Sequence, residues 1–328
     1  MPPGVPRVGL LLFAAVCTLV LAHAAGAGTG GLLPPTPHSP NAHRITDAYE
    51  FVLVFVVVIF VLVEGALLAF VVRYRRGKRA RTAEGPQIHG ATRLEIIWTV
   101  VPALILAAIA TFVFYKLPGI TGPPAAAAAD QTTIKVEGRQ FYWMFRYPNG
   151  AVSVGTMVAP ANEVVHESVY APADDVIHSW WVPNLAGQID AIPGQTNHSW
   201  FEAPVGDYIA RCALLCGIQH AKMIAHVDVV PRAQYETFIA ARKADATGIA
   251  LGKEEFQYVC STCHHLTTAY VGPALAGNPL LKDVKGITLI LREGVGNMPA
   301  VASDWSDDQI KALIAYTKTI KVPKANGN

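Results

Sequence analysis

Two apolar runs stand out before anything else in the chain. "FVLVFVVVIFVLVEGALLAFVV" covers residues 51–72 and "IIWTVVPALILAAIATFVFYKL" covers 96–117. Each is long enough to cross a bilayer as a helix. Together they predict a transmembrane hairpin over 43–118. The segment between them, "RYRRGKRARTAEGPQIHGATR", is rich in Arg and Lys, which places it on the cytoplasmic side. The N-terminus and everything after Leu117 are then expected on the outer side. From Thr132 to Val230 the pattern changes to short runs such as "TTIKVEG", "QFYWMFRY", "VVHESVY", "NHSWFEA", "DYIARCA" and "IAHVDVV", separated by Pro, Gly, Asn and Asp. That is the signature of an all-β domain, expected over 131–235. One short amphipathic helix and a linker follow. Helical spacing returns after Ala250 and closes with "SDDQIKALIAYTKTI", which has a Ser cap, so an all-α domain is expected over 248–322.

Composition agrees with membrane segments: only 15 % of the 328 residues are charged, and the net charge of +2 points to no nucleic-acid partner. Residues 1–24 read as a signal peptide, with Arg7, an apolar stretch and "AHA" as the cleavage site. Val16 ahead of Cys17 argues against a lipoprotein signal. Glu64 lies deep within the first span, where an acid is costly, and is expected to face a neighbouring helix.

Apart from Cys17, the cysteines form two close pairs, too few and too clustered for a disulfide framework. In "CALLCGIQHAKM", Cys212, Cys216, His220 and Met223 fall within twelve positions, and "DVIHSWWVP" supplies His178 upstream. Two thiolates, two imidazoles and a thioether suit copper; zinc seldom takes Met. The set exceeds what one blue-copper centre uses, which points to two copper ions bridged by the sulfurs. A Cys212–Cys216 disulfide with an incidental His and Met is the bland alternative. "VCSTCHH" contains C-x-x-C-H, the attachment motif of a c-type haem, with Cys260 and Cys263 as thioether positions and His264 as an axial ligand. His265 is adjacent to His264 and cannot reach the opposite face. Met298 in "GVGNMPA" is the expected second axial ligand, and Tyr316 is expected to pack on the haem edge. His198 and His226 have no partner motif and read as surface or strand histidines.

These blocks resemble subunit II of the haem–copper cytochrome c oxidases, in its cytochrome c-fused form found in caa-type oxidases. The resemblance rests on "LEIIWTVVPALIL", "GRQFYWMFRYP", "DVIHSWWVPNLAGQIDAIPGQTN" and "CALLCGIQHAKM", in that order. "VGPALAG" resembles the cytochrome c loop whose proline, here Pro273, supports the proximal histidine. The resemblance implies a multi-domain membrane protein: a two-helix hairpin, a cupredoxin-like CuA domain and a class I cytochrome c domain. It implies CuA ligands at His178, Cys212, Cys216, His220 and Met223, with the backbone carbonyl of Leu214 as the sixth. The family usually has Glu at that position, and its side chain reaches a Mg²⁺; a leucine side chain cannot bind Mg²⁺. Phe141 stands where the family has a Trp that receives electrons from soluble cytochrome c, while Tyr142 and Trp143 read as core aromatics. Glu95 matches the family glutamate at the entry of a proton path; among so many nearby cations it reads equally as an interfacial carboxylate.

The implied activity is electron transfer, from a donor cytochrome or quinol-oxidising complex to haem c, to CuA and on to haem a of subunit I. Oxygen reduction and proton pumping then belong to the assembly with subunits I and III, in a bacterial inner membrane with both soluble domains on the outer side. A short linker should hold the haem domain at an effective concentration on the order of millimolar. Two rivals are the CuA entry subunit of a nitric oxide or nitrous oxide reductase, told apart by its catalytic partner, and a membrane-anchored copper-delivery protein. The latter is single-spanning and lacks the His178 block, Met223 and a haem.

Overall fold

The apolar runs form two long helices, α1 (Pro40–Tyr74) and α2 (Thr92–Lys116). The computed structural model describes residues 33–74, 85, 87, 89–123, 132–245, 248–275 and 278–320. The expected signal segment 1–24, with Cys17, and most of the basic loop lie outside those residues. Helix α1 starts well ahead of the apolar run because "PNAHRITDAYE" contains no helix breaker after its first residue. The helices run antiparallel. Phe51 stacks on Phe112 at 4.2 Å between ring centroids, and Lys116 reaches Asp47 at 2.6 Å. Their remaining apolar side chains, such as Leu62, Phe70 and Leu106, point outward, as a surface made for lipid or another subunit requires. Glu64 is exposed on this surface, and among the described residues nothing within the hairpin pairs with it.

The next compact unit begins with ten strands: β1 (Thr132–Arg139), β2 (Tyr142–Arg146), β3 (Val152–Val154), β4 (Thr156–Pro160), β5 (Val165–Tyr170), β6 (His178–Trp181), β7 (Ile189–Ala191), β8 (Asn197–Phe201), β9 (Gly206–Cys212) and β10 (Ile224–Val230). They form two five-stranded sheets, ordered β3-β2-β1-β5-β8 and β4-β10-β9-β6-β7. The pairs β1–β5 and β4–β10 are parallel, and the other pairs are antiparallel. The core between the sheets contains Ile134, Trp143, Phe145, Met157, Trp180 and Phe201, all at most 1 % exposed. Strands β3, β4, β6 and β7 were not expected from the sequence. They have only three to five residues each, too few for a periodicity to register, and exist through their pairing partners.

Helix α3 (Arg232–Ala244) closes the β domain. The last part of the chain contains α4 (Ile249–Tyr258), a 3-10 turn at Cys260–Thr262, α5 (Val284–Glu293) and α6 (Asp307–Thr317). Ser306 caps α6 in a capping box with Gln309, as the sequence suggested.

The linker picture changes here. Strand β2 buries both of its faces. Trp143 and Phe145 enter the sandwich core, while Tyr142 and Met144 join Val154 in a second core with Phe256, Ile287, Leu291, Trp305 and Leu313 of the helical domain. The helical domain is therefore docked on β2 and β3, and is held by more than a tether. Polar contacts ring this patch: Trp305 Nε1 donates to Tyr142 Oη at 2.9 Å, Tyr142 Oη donates to the Val301 carbonyl at 2.9 Å, and the Val154 N–H donates to Glu254 at 3.0 Å. Arg139 is paired with Glu137 and Asp304.

Truncating Trp305 opens this second core and leaves the Tyr142 hydroxyl without its donor. Trp305→Ala should cost about 3–5 kcal/mol. Denaturant titration followed at a helical-domain probe should show that loss; a change below 1 kcal/mol would mean that the interface does not stabilise the domain.

Candidate copper and haem sites

All of the clustered ligand candidates come from one end of three neighbouring strands. His178 begins β6, Cys212 ends β9, and Met223 immediately precedes β10. The register Trp180↔Cys212 joins β6 to β9, and the Cys212 N–H donates to the Met223 carbonyl at 3.1 Å. The loop between Cys212 and Met223 brings Cys216 and His220 back over the same end. Candidate ligand atoms of His178, Cys212 and Cys216 lie within 4.8 Å of one another. The Cys212 and Cys216 sulfurs are 3.8 Å apart and both are free thiols, unlike the disulfide alternative. Cys216 Sγ is 3.7 Å from His220 Nδ1 and 3.8 Å from Met223 Sδ, and the Leu214 carbonyl is 3.2 Å from Cys212 Sγ. His178, Cys212, Cys216 and Met223 are buried, while the Leu214 side chain is 38 % exposed.

The groups of this cluster lie close enough to shift one another's protonation. Its hydrogen bond with Cys216, and then His178, hold the Cys212 thiol down against burial, while Cys212, and then burial, push Cys216 up. Burial pulls the His178 imidazole down, but Asp175 and Cys212 outweigh it and the net direction is up. Asp175 Oδ1 lies 3.0 Å from His178 Nε2, whereas His178 Nδ1 is buried with no hydrogen-bond partner. A buried ring with one unpartnered nitrogen, within reach of two sulfurs and oriented by a carboxylate, is the arrangement of a metal ligand with its outer support. The donor set therefore fits a soft, copper-type ion. Asp175 was not singled out from the sequence; its place three residues before a ligand histidine was the available signal.

In the helical domain Cys260, Cys263, His264 and Met298 line one cavity of about 520 Å³, a size suited to a prosthetic group. Its walls are apolar, with Phe256, Leu281, Ile287, Leu291 and Leu313 among them. His264 Nδ1 lies 2.8 Å from the Pro273 carbonyl, leaving Nε2 free for an iron, so Pro273 does orient this histidine. Gly272 permits it, because an added Cβ would come 2.3 Å from the His264 ring. Met298 sits in a turn closed by reciprocal backbone bonds with Val295 at 3.0 Å. The set fits a haem. Tyr316 does not line the cavity: it packs on Phe256, 5.6 Å between ring centroids, which is a correction to its expected place at the haem edge. His265 stacks on Tyr270, His198 is exposed on β8, and His226 is a surface residue paired with Asp207. Tyr142 and Trp143 are core residues. Glu95 lies at the start of α2, where its Oε1 accepts the Ala91 N–H at 3.2 Å.

The profile for the transmembrane domain of cytochrome C oxidase subunit II matches residues 29–115, and that for its periplasmic domain matches 152–230. The profile described as cytochrome C oxidase, cbb3-type, subunit III matches 248–316. Cytochrome c oxidase subunit 2 of Alkalihalophilus pseudofirmus is 31 % identical, over 90 % of this chain and 92 % of its own length. That of Bacillus sp. strain PS3 is 31 % identical, over 76 % of this chain and 80 % of its own. Among solved structures, the periplasmic domain of subunit II of cytochrome oxidase of Bradyrhizobium japonicum is 32 % identical over 34 % of this chain and 93 % of that chain, with a TM-score of 0.33.

Beside the cavity, Glu255 is fully buried. Burial first, then the neighbouring Glu254, pushes its carboxyl from 4.5 up to about 9. Between those pH values the unfolded chain has lost this proton and the folded chain keeps it, so stability falls as pH rises. Glu255→Gln should remove that slope and raise the melting temperature at pH 8 by roughly 5 °C. A thermal melt series from pH 5 to pH 9 checks it.

Proposed function

The chain belongs to the cytochrome c oxidase subunit II family and has a cytochrome c domain joined to it, and from that premise we propose that it is the electron-entry subunit, passing electrons from a covalently bound haem c to a binuclear CuA centre. As such it is a membrane-anchored subunit with two spans, part of an oxidoreductase, in complex with subunit I. The observation that supports the copper reading best is the buried cluster of His178, Cys212 and Cys216, with His220 and Met223 against the second sulfur. Two sulfurs close to one another, each with its own additional donors, favour two bridged ions over one. The Leu214 carbonyl is placed to complete the set, and its leucine side chain offers no ligand for Mg²⁺.

When bound, the copper pair and the haem supply one-electron carriers; the chain supplies their positions. Cys260 and Cys263 would hold the haem through thioethers, and His264 and Met298 would supply the ligands to its iron. Asp175 orients the His178 ring. The sulfur ligands sit at the end of a stiff sheet and behind buried side chains, so they move little as charge changes. The thioether linkage and the basic loop between the spans favour a location of both soluble domains outside the cytoplasm. Subunit III is a further expected partner, with a reduced cytochrome or a quinol-oxidising complex as donor. Glu95 at the start of α2 is a candidate for the mouth of a proton path through subunit I.

Optical and electron paramagnetic resonance spectra of the purified complex test this reading: a c-type haem that survives acid–acetone extraction and a mixed-valence two-copper signal are expected. Cys216→Ser should abolish the copper signal and leave the haem attached, because the two sites occupy separate domains. A normal copper spectrum in that variant refutes the ligand assignment. Met298→Ala should keep the haem covalently bound and lower its potential as the thioether is lost; redox titration measures it.

A further inference from the structure

The short turn between β1 and β2 touches both sites. Gln140 Nε2 donates to the Cys216 carbonyl at 2.6 Å, and the Gln140 N–H donates to Asp175 Oδ2 at 3.1 Å. Asp175 in turn holds His178 through its other oxygen. Gln140 thus braces the two segments that bring the imidazole and the second sulfur of the copper cluster. The same residue, with Phe141 and Ile218, lines the cavity that contains Cys260, Cys263, His264 and Met298. Nothing separates this turn from the copper loop. Gly217 has φ +139°, and a Cβ added there would come 2.9 Å from the Phe141 ring and 3.1 Å from Gln140 Nε2. Only glycine lets the loop backbone lie this close.

We propose that Gln140 is a positioning residue for electron transfer between the two cofactors, because its amide locks the backbone of Cys216 to the wall of the haem cavity. The proposal rests on the assignment of the two sites given above. One electron passes across this contact, the donor haem being oxidised and the copper pair reduced, with no bond made or broken. Electronic coupling falls steeply across gaps, and a hydrogen bond to the carbonyl of a ligand cysteine replaces a through-space jump by a bonded link. The side chain also fixes where the Cys216 loop sits, as polar groups behind metal ligands commonly do. A neighbouring apolar residue could fill the same space but could not hold the carbonyl.

The test uses the intact purified oxidase with Gln140→Met, which keeps the side-chain length, removes the donor and leaves the backbone bond to Asp175. Four quantities are read: the copper resonance spectrum, both reduction potentials, the melting temperature, and the rate of haem-to-copper electron equilibration after flash photoreduction. Haem attachment, haem potential and melting temperature should match the wild type. The copper hyperfine pattern should shift, and the transfer rate should fall about tenfold, the scale seen when an outer support of a metal site is lost. A rate equal to wild type, with both cofactors present, overturns the role of Gln140 and leaves the site assignment intact. Absence of either cofactor from the wild-type protein overturns the assignment and this inference with it. If Gln140→Met fails to retain copper, Gln140→Glu, which keeps the volume and has no donor when ionised, serves instead: slowed transfer supports the role and an unchanged rate refutes it.

Discussion

Strand β2 is buried on both faces, and much of the soluble part of the molecule depends on that. Four of its five residues alternate between two cores: Trp143 and Phe145 fill the sandwich, and Tyr142 and Met144 fill the seat of the helical domain. Fully burying a large apolar side chain contributes about 1.5–3 kcal/mol, so one strand anchors two domains at once. The turn that enters it, Gln140–Phe141, therefore cannot drift, because the residues immediately after it are fixed from both sides. Removing the helical domain would bare Tyr142, Met144 and Val154 together, leaving an apolar patch on a sheet that the sandwich alone has no means to cover.

The proposed copper ligands obey a related constraint. A loop that carries soft ligands is useful only if its two ends are held. Here one end is β9 and the other β10, antiparallel neighbours paired from Arg211↔Ile224 to Gly206↔Val229. The third element, β6, is tied to β9 through Trp180↔Cys212, and the Ala213 N–H donates to the Ser179 carbonyl at 2.9 Å. Ligands from three strands thus meet at positions set by backbone register, which side-chain rotation cannot change. His178 needs more than register, since a ring can turn, and Asp175 provides that second restraint.

The two spans, the C-x-x-x-C and C-x-x-C-H pairs, and the long strands were legible in the sequence because each is a local signal: length, spacing or alternation. The short strands were not, since β3, β6 and β7 acquire their form from their partners. The fold of the helical domain was legible in "CSTCHH" and in the capped "SDDQIKALIAYTKTI", but its seat was less plain. One clue existed. "FYWMFRY" lacks the apolar–polar alternation of a half-exposed strand, and an unbroken apolar run in an otherwise alternating domain signals burial on both faces. Asp175 and Gln140 left no such mark. Their roles arise from contacts with residues as far as 76 positions away in the chain, which spacing cannot encode. Tyr316 shows the converse: an aromatic on the right helix packs on Phe256 because that ring, already in the core, is its nearer neighbour.

Apolar burial holds the helical domain against β2 and β3 but does not by itself choose an orientation, because dispersion and the hydrophobic effect are nondirectional. The polar ring makes that choice. The Tyr142 hydroxyl both accepts from Trp305 and donates to the Val301 carbonyl, so it is satisfied in one pose only. Ser303 links to Asp174 at 2.7 Å, and Gln309 reaches Met144 at 3.2 Å. Lys222, next to the candidate ligand Met223, donates to Tyr270 at 2.6 Å; this exposed contact is weak in energy but lies between the candidate copper loop and the helical-domain segment that contains Pro273. A domain on a free linker would meet its acceptor by diffusion over many orientations. Here the orientation is built into the interface, so the separation between the two sites is set by the same side chains that hold the domains together.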